Sequence, residues 1–184
     1  EACLVGSEMC IRDSPIAGTE ESGPDSGFAE LFENRWCILT PTKDNSKKSI
    51  NSIKSFWELL GSKVEIMDAL HHDKVLAITS HIPHLIAFNI VGTANDLANV
   101  TDTEVVKYSA GGFRDFTRIA ASDPKMWSDI FAYNSEAVLE MLDLFSKDLS
   151  KLKDSILNKD TKMLFSSFEK TRNVRKKIID AGQD

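Results

Sequence analysis

The chain has 184 residues, of which 42% are hydrophobic, 27% charged and 8% aromatic. That composition is enough for one sizeable core and excludes intrinsic disorder and collagen-like repeats. Its 22 basic and 28 acidic residues leave a net charge of -6, which disfavours nucleic acid as a partner. No apolar run approaches the roughly 18–20 residues of a bilayer span, and the N-terminus lacks a charged-then-apolar leader. With Cys3, Cys10 and Cys37 crowded toward one end, the expectation is a cytoplasmic protein in a reducing compartment, without membrane contact.

Residues 1–14 stand apart. Leu4 to Ser14 reads Leu-Val-Gly-Ser-Glu-Met-Cys-Ile-Arg-Asp-Ser, has no periodicity, and matches residue by residue one reading frame of a transposase adapter used to build sequencing libraries. This segment is expected to be non-native and is set aside from fold reasoning. Cys37 is then the one native thiol, and the remainder reads as a gene fragment.

From Pro15 the sequence has structural logic. A Gly- and Pro-containing loop passes an apolar patch at Phe28, Leu31 and Phe32 and ends in Arg35-Trp36-Cys37-Ile38-Leu39-Thr40, which reads as a buried strand. Ile50, Ile53, Phe56, Trp57, Leu59 and Leu60 repeat at helical spacing until Gly61. Lys63 to Met67 alternates like a strand, and Asp68 begins the next helix. Pro83 through Leu97 is apolar almost all round and predicts a central helix enclosed by protein. Asp123-Pro124 is a cap and first-turn pair for a helix carrying Met126, Trp127, Ile130 and Phe131. Ser135 is placed to cap a long periodic helix to Leu157, and a last helix starts at Thr161. Arg172, Arg175, Lys176 and Lys177 complement its C-terminal dipole and receive no function.

Three constellations bear chemistry. In Ser80-His81-Ile82-Pro83-His84 two histidines share a helix face. They are either satisfied core groups or the start of a metal site that lacks the glutamate of a zincin motif, and the expectation is no metal. In Gly111-Gly112-Phe113-Arg114-Asp115-Phe116-Thr117-Arg118 a glycine pair allows close backbone approach to a ligand, and the arginines offer forked donors to carboxylates. A plain helix-to-helix turn explains the same residues. The loop Pro15-Ile16-Ala17-Gly18-Thr19-Glu20-Glu21-Ser22-Gly23 says only that Thr19 and Glu20 are placed to line a cleft.

Taken in order, P-I-A-G-T-E-x-S-G, R-W-C-I-L-T-P, T-S-H-I-P-H and G-G-F-R-D-F-T-R-I-A-x-S-D-P-x-M-W-x-D-I-F resemble the prephenate dehydrogenase family of tyrosine biosynthesis, from Pro15 to about Phe145. The resemblance implies a mainly α chain: an all-helical dimerisation and substrate domain over 46–184, preceded over 15–45 by the last strand and loop of a truncated Rossmann domain. It implies oxidative decarboxylation of prephenate or arogenate with NAD or NADP by a homodimer. Arg118 would clamp the ring carboxylate, with Asp115 holding its orientation. His84, Ser80 and His81 would hydrogen-bond substrate, Gly111 would offer backbone, Trp127 would wall the pocket, and Thr19 and Glu20 would sit beside the general base. That base is the histidine of the family's H-P-x-A-G-T-E motif, where this sequence has Ser14, so the chain as written is expected to be inactive. A free-standing helical binding or dimerisation module is the alternative. Prephenate versus arogenate, NAD versus NADP, and tyrosine feedback stay open.

Overall fold

The computed structural model describes residues 11–18, 24–96 and 110–180. It falls into two compact units, one to Val138 and one from Leu139 onward.

The first unit begins with a three-stranded sheet, β1 (Arg12–Pro15), β2 (Trp36–Thr40) and β3 (Lys63–Ile66), in that order. β1 runs antiparallel to β2 with Ser14 opposite Ile38, and β3 runs parallel to it with Cys37 opposite Val64. The period-two geometry of β2 puts Cys37 and Leu39 on one face, fully buried against Trp57, with Ile11, Phe32, Ile53 and Val64 packed around them. Burial raises the Cys37 thiol to about 11, helped by the negative charge of Asp13 and opposed by a hydrogen bond from the backbone of Ser14. The helix that supplies Trp57, α1 (Lys47–Leu59), is capped by Ser46, whose hydroxyl accepts from the Ser49 amide. It ends where Gly61 turns the chain into β3 at a φ of 88°. A Cβ there would lie 3.2 Å from the Glu33 backbone, so the position takes glycine.

The sheet spans both expected segment boundaries. The seam between Ser14 and Pro15 lies inside β1, because a ladder needs backbone N–H and C=O groups rather than an alternating side-chain pattern. Trp57 Nε1 also donates to Asp13 Oδ2 at 2.9 Å across the seam. Past the expected division at residue 45, residues 46–66 build α1 and β3 onto β2.

Beyond the sheet, α2 (Ala69–Leu76), a π turn (Ala77–His81) and α3 (Ile82–Asn95) form one continuous 27-residue helix. Asp68 caps it, as expected, by accepting from the Leu70 and His71 amides. The sequence placed the histidines at a helix start because Pro83 reads as a first-turn residue; they lie instead inside a helix. Proline has no N–H and crowds the carbonyl four residues back, and the π turn immediately before Pro83 gives the local room: the Ile82 amide reaches Ala77 O, five residues back. This helix meets the length and hydropathy of a membrane span, which corrects the expectation that no stretch approaches one. Leu97 lies outside the described residues.

Against α3 pack α4 (Gly111–Thr117) and the 3-10 turn Arg118–Ala121. α5 (Pro124–Tyr133) follows with Asp123 as its cap, as expected. Ser135 is already the first residue of α6 (Ser135–Leu157), whose opening amide bond runs from Val138 to Asn134 O, so it is not a cap. The second unit consists of the rest of α6 and α7 (Thr161–Asp180), joined through Lys159 at a φ of 52° and capped by Asp160, which accepts from the Met163 amide. Leu144, Leu149, Ile156, Phe165, Phe168 and Ile178 are exposed on these helices.

Candidate functional site

The π turn and the first turn of α3 carry both histidines of the Ser-His-Ile-Pro-His motif to Trp127 on α5. The His84 ring stacks on the indole with centroids 3.7 Å apart and an interplanar angle of 24°. His81 meets the same indole edge-on at 6.0 Å and Phe131 at 6.5 Å. Ser80 contributes its carbonyl: His84 Nδ1 donates to Ser80 O at 2.9 Å, which leaves Nε2 as the acceptor of the neutral ring. His81 is fixed the other way round. The Asn134 amide nitrogen lies 3.2 Å from His81 Nδ1 and 3.0 Å from Asp73 O, donating to both, so His81 carries its proton on Nε2.

Burial holds both imidazoles below the ordinary histidine value of 6.5. For His81 the neighbouring His84 adds to the effect and Asp73 opposes it, while for His84 the bond to Ser80 opposes it. A ring whose folded pKa is depressed takes up its proton more readily when unfolded. Its contribution to stability is therefore complete above 6.5 and is lost as pH falls through the folded values. Urea midpoints measured between about pH 8 and pH 5 are expected to drop below about pH 6.5. The drop should shrink in His84→Phe, which keeps the stack on Trp127; an undiminished slope would show that His84 does not contribute.

Trp127 is 5% exposed, and its Nε1 is buried with no acceptor among the described residues. A buried donor left open costs stability unless something supplies an acceptor.

Arg118 opens the 3-10 turn that packs on α3, and Asp115 lies one turn earlier on α4; both are exposed. Gly111 and Gly112 start α4: a Cβ on Gly112 would meet nothing within 4 Å, and one on Gly111 only Asp115 Oδ2 at 3.9 Å. Thr19 and Glu20 lie outside the described residues.

A cavity of about 410 Å³ lies between β1 and α2, lined by Arg12, Asp13, Ser14, Thr40, Ala69, His72 and Asp73. It holds position 14 but neither Arg118 nor His84. It also contains His72, a residue that belongs to no motif in the sequence. His72 stands in a polar stretch beside Asp73, and only burial, which composition does not reveal, separates it from the exposed His71. No group of three metal-ligating side chains occurs among the described residues.

The chain matches the family model described as prephenate dehydrogenase, dimerization domain, over residues 68–170, and that described as prephenate dehydrogenase, nucleotide-binding domain, over residues 2–66. It is 42% identical to the cyclohexadienyl dehydrogenase of Zymomonas mobilis, covering 92% of this chain and 58% of that one. It is 32% identical to the prephenate dehydrogenase of Bacillus subtilis, covering 90% and 44%. Prephenate dehydrogenase from A. aeolicus, crystallised with hydroxyphenyl propionate and NAD+, superposes with a TM-score of 0.84 at 40% identity, covering 91% of this chain and 58% of that chain. The chain thus spans about half the length of the curated relatives it matches.

Proposed function

Because the chain belongs to the prephenate dehydrogenase family, we propose that it is the later part of a cytoplasmic oxidoreductase that oxidises and decarboxylates prephenate or arogenate with NAD or NADP on the route to tyrosine. Residues 1–14 are foreign to it. Pro15 to Ile66 end the nucleotide-binding domain, the junction falls at Met67, and the helices from Asp68 onward form the domain that pairs with a second copy. The exposed apolar side chains of α6 and α7 suit such a helix-on-helix seam.

NAD or NADP is the oxidant of the whole protein, and the residues of this chain do not fit its pyrophosphate. The sequence contains no Gly-x-Gly-x-x-Gly, and Gly61 turns a helix into a strand rather than a strand into a helix. What this chain supplies is the substrate side. Arg118 pairs in fork geometry with the ring carboxylate, and Asp115 orients it. His84 Nε2 accepts and His81 Nε2–H donates, each fixed by its Nδ1 bond, with Ser80 holding the first and Asn134 the second. Trp127 walls the ring and offers Nε1. Gly111 lends backbone, and Thr19 and Glu20 stand beside the base. Ser14 occupies the base's place, and a hydroxyl takes up no proton near neutrality.

One observation carries this reading: segments distant in sequence meet around one helix. Trp127 lies flat on His84 while the turn bearing Arg118 packs on the same α3. The test is calorimetric. Arg118→Ala is expected to weaken prephenate binding by about 10- to 100-fold, the equivalent of a charge-assisted pair worth roughly 1.5–3 kcal/mol, and Arg118→Lys to recover part of it. Unchanged affinity in Arg118→Ala would remove Arg118 from the site.

A further inference from the structure

The cavity that takes in position 14 has an imidazole in its wall with one nitrogen uncommitted. The His72 side chain is 15% exposed, and its Nδ1 lies 3.0 Å from Asp73 Oδ1. A carboxylate accepts only from an N–H, so the neutral ring keeps its proton on Nδ1 and presents a lone pair at Nε2. That Nε2 is buried and has no partner among the described residues. Asp73 is itself anchored, its carbonyl oxygen accepting from Asn134, the residue that also sets the His81 tautomer. The charged groups lining the cavity are Arg12 and Asp13 from β1 and Asp73 from α2. From the π turn, His81 interacts electrostatically with both Asp73 and His72.

We infer that His72 is a positioning residue: its Nε2, backed by Asp73, is the acceptor for an imidazole N–H at position 14. With the family's imidazole there, the bond fixes its tautomer and leaves its second nitrogen as the base. In the chain as written Ser14 stands at that position, and His72 Nε2 has no partner among the described residues. The inference rests on the family reading of position 14 and adds a residue on α2 to it.

The test needs neither substrate nor cofactor. Ser14→His is introduced into the 184-residue chain, and the ring protons of the new imidazole are titrated by NMR, alone and combined with His72→Leu or His72→Gln. An acceptor backed by a carboxylate favours the imidazolium form. His72→Leu is therefore expected to lower the pKa of the introduced ring by about one pH unit, while His72→Gln, which keeps an acceptor, restores most of it. No change in either variant, or an equal change in both, overturns the inference. If His72→Leu does not fold, Asp73→Asn takes its place, with a smaller change in the same direction expected and no change overturning it. Failure here leaves the dehydrogenase reading standing, because that reading is tested separately by turnover.

Discussion

Mixed with prephenate and either NAD or NADP, the 184-residue chain is expected to form no reduced nicotinamide. Fused behind a nucleotide-binding domain of the same family, it should remain slow until Ser14→His is introduced, which should raise kcat by about 10²- to 10⁴-fold, the usual contribution of a positioned general base. Two absences combine in the chain as written. The sequence has no glycine-rich turn for the dinucleotide, and the side chain at position 14 cannot take the hydroxyl proton. Absorbance at the reduced-nicotinamide band measures both. Appreciable turnover by the unmodified chain, or no gain from the histidine in the fusion, would contradict the role given to position 14.

Trp127→Ala is expected to be the most destabilising single change in the first unit. It removes a buried indole that touches His84, His81 and Phe131, and truncation of a buried large aromatic costs about 3–5 kcal/mol. Urea unfolding measures it, and a loss under about 1 kcal/mol would mean that the site collapses around the gap. Trp127→Phe separates packing from hydrogen bonding. It deletes a donor that has no acceptor among the described residues, so stability should change far less than in the alanine variant, while prephenate affinity falls if Nε1 serves the substrate.

The fold was legible wherever local rules decide it. A continuous apolar run marks β2, alternation marks β3, and apolar spacing marks α1. Asp68 and Asp123 announced their helices because a short carboxylate before an apolar run satisfies amides that have no intrahelical partner. β1 escaped because Arg12 to Ser14 pairs through its backbone and carries no alternation. The continuous helix through His81 escaped because Pro83 looks the same at a helix start as beside a π turn; the difference lies in the backbone, where Ile82 reaches Ala77. Of the site, the two histidines and Trp127 were readable as polar and aromatic groups on apolar helices, but their stacking depends on how α3 meets α5. His72 is not legible because charge and sequence neighbours describe it as solvated, whereas a cavity wall assembled from β1 and α2 encloses it. Arg118 stands out through the family motif, and the contact of its turn with α3 is what attaches it to the histidine helix.

The central claim is that a guanidinium at Arg118 and an imidazole at His84 serve one small dianion beside Trp127. A crystal structure of the chain grown with prephenate tests it most directly. The expected result is the ring carboxylate in a two-pronged bond to Arg118 at about 2.7–2.9 Å, with the ring against Trp127 and within hydrogen-bond reach of His84 Nε2. Prephenate bound elsewhere, with Arg118 and His84 on separate surfaces, would contradict it.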